Sequence, residues 1–290
     1  MTTTQAKVRF LVYFDYGSNY SFLSLFRLIN RPSLPPTSHP TLLPPTYLLT
    51  SQHLAIEYRP IVLGAIFKNL NNWEKSPYLL FPAKANYLWR DFERQCQKYG
   101  ILKPNERYTQ PTVFPRQSLS ALRVACALFP VSSSSHTSTS TPATHPVSPH
   151  LAAHTAVAER LGCTFTLRVF EANFLQDRDI NDPSFLTAIV REAVAETPGA
   201  TSEGEDPAAV ADRVMAAAQS QPIRDLLRAY TDEAVRHGVF GGPTFVVFQE
   251  GKEGARELFW GNDRLGEALE WAERLVLEVG ENTDPARCSM

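Results

Sequence analysis

The chain has 290 residues, 43% of them hydrophobic, and a formal net charge of -2. That length suits one large domain or two ordinary ones with a real core, and the charge offers neither a basic stripe for nucleic acid nor a like-charge arm for a membrane surface. The cysteines Cys96, Cys126, Cys163 and Cys288 form no C-x-x-C pair and no metal-ligand cluster, which argues against a disulfide framework or metal site and fits a reducing compartment.

Val8 to Asp15 is rich in Val, Phe and Tyr and predicts a buried strand. Tyr16-Gly17-Ser18-Asn19 breaks it, and Tyr20 to Asn30 carries Phe22, Leu25, Phe26 and Ile29 at helical spacing. Arg31 to Ser51 is a Pro-, Ser- and Thr-rich insertion that reads as a poorly ordered loop. Leu54 to Pro60 alternates and predicts a second strand, which makes the opening a βαβ unit if the strands are parallel. Leu63 to His237 is almost all helical in pattern. A short helix is expected at Leu63 to Leu70, then helices at Ala83 to Tyr99, Ser118 to Phe129 (Ser118 as N-cap), Leu151 to Leu161, Phe165 to Gln176, Pro183 to Glu196, Pro207 to Ser220 and Pro222 to Arg236. Three of them open on proline, which suits a first helical turn. Val131 to Pro149 is a Ser/Thr/Pro tract that cannot pack a core. Pro243 to Phe248 and Glu257 to Trp260 predict a closing hairpin across the polar loop Gln249 to Arg256, and Leu265 to Val279 a final amphipathic helix. The order is βα-β, a long helical block, then ββα. The two ends must meet in one sheet, since neither is stable alone.

Four turns offer chemistry. Ser18 stands where a strand gives way to a helix. The unpaired N–H groups and dipole there favour an anion, and a hydroxyl donating to sulfur lowers a thiol pKa from its ordinary value near 8.5. Ser18 reads equally as a plain helix cap. In Gly241-Gly242-Pro243-Thr244 the X-Pro bond before a strand is a natural cis site, which turns the preceding backbone outward to pair with an extended peptide such as glutathione; the alternative is a Gly-rich turn feeding a core strand. In Trp260-Gly261-Asn262-Asp263, either Asn262 or Asp263 can cap the helix, or Asp263 can bind the ammonium of a γ-glutamyl group with Asn262 at its carboxylate. Asn72, in Asn71-Asn72-Trp73, offers a donor and an acceptor to a cofactor backbone or bound sulfur, or simply ends a helix. Tyr87 and Trp89 read as core, with a hydrophobic pocket as the alternative. The histidines lack metal spacing, so no metal is expected.

Taken in order, these segments resemble the DsbA-like family of kappa-class glutathione transferases and 2-hydroxychromene-2-carboxylate isomerases. The resemblance rests on Phe14-Asp15-Tyr16-Gly17-Ser18-Asn19-Tyr20-Ser21-Phe22-Leu23, on Arg59-Pro60, Leu63 to Lys68 and Asn72, and on Lys84 to Asp91. It continues in Arg178 to Pro183, Gly238 to Phe245 and Phe259 to Leu265. It covers nearly the whole chain apart from the polar insertions. Two positions depart from the pattern: Asn19 stands where proline is usual, and Gly242 where Val or Leu is common, which removes apolar cover over a thiol.

The resemblance implies an α/β protein whose thioredoxin-like sheet is interrupted by a large helical domain. Residues 1-62 and 238-290 would form the thioredoxin-like part and 63-237 the helical part. It implies glutathione as cosubstrate, Ser18 as the residue activating its sulfur, and Asn72 near the thiol. Gly242 and Pro243 would pair with the cysteinyl backbone, and Asn262 and Asp263 would hold the γ-glutamyl end. The expected activity is a kappa-type glutathione transferase acting on a small hydrophobic electrophile. Alternatives are a glutathione-dependent isomerase of aromatic catabolism and a non-catalytic thioredoxin-fold binding protein. A disulfide oxidoreductase would need two cysteines at the first turn, which holds Gly17-Ser18-Asn19-Tyr20. A homodimer is expected by analogy. No stretch approaches about 18 consecutive apolar residues, so no membrane span is expected. Met1 to Phe10 runs almost directly into a strand and leaves no room for a signal peptide, and Cys288-Ser289-Met290 is a poor peroxisomal tripeptide. Cytoplasm is the expected address, with mitochondrion and peroxisome as alternatives without a clear signal.

Overall fold

A computed structural model describes residues 8–30, 53–70, 81–103, 106, 108, 110–131 and 154–283. The two polar insertions, apart from Val131, lie outside the described residues, and so does Asn72.

Four strands form one sheet in the order β2-β1-β3-β4: β1 Val8–Phe14, β2 Leu54–Pro60, β3 Thr244–Gln249 and β4 Glu257–Trp260. β1 pairs with β2 in parallel and with β3 antiparallel, and β3 pairs with β4 antiparallel. The opening is therefore the expected βαβ unit, and the two ends of the chain do share a sheet. β1 lies inside the sheet and is covered on both faces. That is why its sequence runs apolar without alternating, with Phe10, Leu11, Val12, Tyr13 and Phe14 fully buried. Each such side chain contributes roughly 1.5–3 kcal/mol of transfer free energy. β4, on the edge, is only four residues long and largely exposed, which limits pairing with another chain.

The described helices are α1 Asn19–Ile29, α2 Leu63–Asn69, α3 Pro82–Lys98, α4 Leu119–Leu128, α5 Thr155–Phe174, α6 Pro183–Glu196, α7 Pro207–Gln219, α8 Gln221–Arg236 and α9 Leu265–Thr283. α9 packs on β3, β1 and β4, whereas α4 and α8 pack on β2. None among the described residues is long and apolar enough to cross a membrane.

Three sequence expectations are corrected. The helices expected at Leu151 to Leu161 and Phe165 to Gln176 are one, α5, running straight through Gly162. Gly162 is a packing residue rather than a break: a Cβ there would meet the Phe129 ring at 2.7 Å. Ser118 occupies the N-cap position of α4 but makes no capping bond, because its hydroxyl is turned to Asp15. Tyr87, read as core, is exposed on α3, while Trp89 packs edge-on against Phe114 with ring centroids 4.6 Å apart.

Candidate active site

The strand directions bring one end of the sheet together. The C-terminal ends of β1, β2 and β4 lie beside the start of β3, because β3 alone runs the other way. Every site residue expected from sequence, apart from Asn72, therefore lies along one edge.

The turn after β1 is built around Asp15. Its carbonyl accepts from Ser18 N–H at 3.0 Å, and Oδ1 accepts from Gly17 N–H at 2.8 Å and Ser118 Oγ at 2.6 Å. Oδ2 accepts from Leu63 N–H at 2.9 Å, which ties the start of α2 to the turn. Burial raises the Asp15 carboxyl above the ordinary carboxylate range, and the three donors oppose that shift. Behind the turn, Asn173 Nδ2 donates to the Tyr16 carbonyl at 2.9 Å, and Tyr16 packs 4.9 Å from Phe170, centroid to centroid. Sequence reading passed over Asp15 because its partners lie 48 and 103 residues away. The available signal was a carboxylate placed directly after a fully apolar run.

Ser18 has extended dihedrals (φ -101°, ψ 114°) and caps α1, its Oγ accepting from Ser21 N–H at 3.1 Å. The same oxygen donates to the Gly242 carbonyl at 2.9 Å. Ser18 is thus a cap, as one sequence reading had it, and its hydroxyl faces the proline turn. The Gly242–Pro243 peptide is cis. No acidic residue lies in the first turn of α1 to neutralise its dipole. Two polar side chains beside this tip are buried without a partner, Asn19 at Nδ2 and Ser21 at Oγ.

The missing side chain at Gly242 is compensated. A Cβ there would meet Leu63 Cδ1 at 3.1 Å and Ser21 Oγ at 3.3 Å, so Leu63 already fills that space. A residue of α2 therefore abuts the place that a side chain at position 242 would enter.

Beyond the proline, the Gly261 N–H donates to the Pro243 carbonyl at 3.0 Å, joining the end of β4 to the same edge. Asn262 is buried, and its Oδ1 accepts from Ser24 Oγ at 3.2 Å and Arg27 Nη1 at 3.0 Å; Arg27 also donates to its carbonyl. The Asn262 side-chain oxygen is therefore committed to α1. Asp263 is exposed, with Oδ2 3.4 Å from Arg264 Nε. Trp260 and Phe240 form an exposed aromatic pair with centroids 5.0 Å apart, the indole lying where a Cβ on Gly241 would come within 2.4 Å of Nε1.

No thiol of the described chain is available at this edge. Cys96, Cys126 and Cys163 are buried, and burial pushes Cys96 and Cys163 up to about 12. Among the described residues no group of His, Cys, Asp or Glu could hold a metal ion.

A strand-turn-helix meeting a cis-proline turn at the edge of a four-stranded sheet, with helices between the sheet's two halves in sequence, defines a DsbA-like thioredoxin fold. Residues 140–270 match the family model described as a DSBA-like thioredoxin domain. Among solved structures the chain is similar to a 2-hydroxychromene-2-carboxylate isomerase, with TM-score 0.57, 20% identity, and 95% of this chain and 100% of that chain covered. It is also similar to a probable DsbA oxidoreductase from Streptomyces coelicolor, with TM-score 0.50, 15% identity, and 91% and 89% covered. At these identities the likeness is one of fold. No curated protein matches the chain in sequence.

Proposed function

We propose that the chain is a glutathione-dependent enzyme of the kappa transferase type, in which Ser18 and the N-terminus of α1 hold the glutathione sulfur as a thiolate. The observation that carries the reading is the Ser18 hydroxyl, at the start of a helix whose first turn holds no acidic residue and 2.9 Å from the carbonyl that precedes the cis proline. A thiol is mostly protonated at neutral pH and a poor nucleophile. A hydroxyl donor and the positive helix end both stabilise its anion, and the anion attacks an electrophilic carbon. The thiol proton leaves to solvent.

The remaining contacts of the tripeptide follow from the edge. The backbone of Gly242 pairs with the cysteinyl unit as an added strand. The γ-glutamyl ammonium goes to the exposed Asp263 carboxylate. The Asn262 side chain supports that site indirectly, through Ser24 and Arg27. Asn72, outside the described residues, is assigned to the thiol by resemblance alone. The exposed, mutually tilted rings of Phe240 and Trp260 offer apolar surface to the electrophile.

The test is conjugation of glutathione to a model aryl halide by the wild type and Ser18→Ala. The variant is expected to lose most activity while keeping its fold, and wild-type rates in it would remove Ser18 from the chemistry. Turnover of a hydroxychromene carboxylate in place of conjugation would assign the same thiolate to isomerisation.

A further inference from the structure

Ser18 has one hydroxyl proton, and in the resting protein it is already committed. Oγ donates to the Gly242 carbonyl at 2.9 Å while accepting from Ser21 N–H at 3.1 Å. A hydroxyl carries a single donor, so it cannot fully serve both that carbonyl and a sulfur. Turning to sulfur unaided would leave a half-buried carbonyl without its donor, which is unfavourable.

We propose that the ligand itself releases Ser18: the amide N–H of a peptide thiol takes over the Gly242 carbonyl, and the freed hydroxyl turns to the sulfur. The inference rests on the glutathione reading and deepens it. Only a thiol carrying a donor N–H on its cysteinyl nitrogen switches the site on, so peptide thiols are selected over simple ones such as 2-mercaptoethanol. One hydrogen bond replaces another, and the S–H bond breaks heterolytically, its electron pair staying on sulfur and its proton passing to solvent water. The rival donor is Ser21, whose Oγ is buried, unpartnered, and 3.3 Å from the Cβ position of Gly242. It makes no bond to that carbonyl in the resting protein, which leaves the place to the ligand.

The decisive probe is a glutathione analogue in which an ester oxygen replaces the N–H between the γ-glutamyl and cysteinyl units. Thiolate ultraviolet absorbance is followed against pH for the wild type saturated with each compound. Bound glutathione is expected to be ionised at neutral pH, and the bound ester about tenfold less so, the size of one lost hydrogen bond. Equal ionisation of both overturns the release step while leaving Ser18 as the activating group; ionisation of neither overturns both. A second measurement covers an ester that fails to bind. S-methylglutathione, which has no thiol proton but keeps the amide N–H, should bind Ser18→Ala severalfold tighter than wild type, because no serine bond must be displaced. Equal or weaker binding refutes the exchange. In Ser21→Ala bound glutathione should stay ionised and the discrimination between amide and ester should persist; loss of ionisation in that variant would make Ser21 the releasing donor instead.

Discussion

Gly242→Val adds a side chain before the proline, and the structure says it should be harmful unless Leu63 gives way. The new Cβ would lie 3.1 Å from Leu63 Cδ1, inside the roughly 3.5–4.0 Å of a good carbon contact, before either γ-methyl is added. The φ of Gly242 is not in the left-handed region, so backbone strain does not enter and the cost is overpacking, about 1–3 kcal/mol. Leu63→Ala alone opens a cavity under a side chain that is 8% exposed and should cost about 2–3 kcal/mol. Together the two changes add three carbons on β3's approach and remove three on α2, leaving the volume nearly constant. The double variant should therefore be less destabilised than the sum by about 1–2 kcal/mol, a coupling expected only of residues in contact. Urea denaturation of the four proteins, read by linear extrapolation, gives the cycle. Additivity within about 0.5 kcal/mol would mean that Leu63 does not occupy the vacant side-chain space.

Ser18→Ala should cost about 2 kcal/mol of stability, one part for the cap and one for the bond to Gly242, well under the total of a domain, so its loss of activity can be read in a folded protein. A urea midpoint unchanged from wild type would contradict both bonds. Asp15→Asn keeps one acceptor oxygen where the carboxylate uses two, and orphans one of its donors; conjugation should fall at least about tenfold, with a loss of stability of roughly 1–3 kcal/mol. Burial lowers His237 from 6.5 to about 4, so the unfolded chain takes up its proton first. Stability should then decline as pH falls from about 6.5 towards 4, by at most about 1.4 kcal/mol per pH unit, and His237→Gln should remove that part of the slope in urea titrations at several pH values.

The elements were legible where one physical rule governed them. β2 and α6 begin and end where alternation and the Asp-Pro start predict. α5 was expected as two helices separated at residues 162–164, whereas Gly162 lies inside one helix and packs against Phe129, 33 residues earlier in the chain. The candidate site followed the same division. Ser18, Gly242 and Pro243 stand at local turns, and the sheet order brings them together. Asn262 was legible as a turn residue, but its commitment to Ser24 and Arg27 depends on how α1 crosses the end of β4. Asp15 and Leu63 were not read as site residues, since each acts only through contacts that sequence spacing does not encode.

The fold is shared with proteins named for two chemistries, disulfide exchange and isomerisation, so the frame alone does not choose between them. The turn does. A redox site needs a thiolate that can attack a disulfide and a second sulfur to resolve it. Here the helix tip presents hydroxyls at Ser18 and Ser21, one turn apart, and the described thiols are buried elsewhere with their pKa values pushed up. A hydroxyl at that tip cannot give up or receive electrons, but it can stabilise a sulfur that arrives with the substrate. Under the proposed function, the electropositive helix end and the cis-proline turn serve an anion that is borrowed. Replacing Ser18 and Ser21 together by cysteine would test that argument. The pair should form an internal disulfide that an added dithiol can reduce. Failure to form it, in a variant that folds, would mean that the two hydroxyls are not placed as a redox pair on this frame.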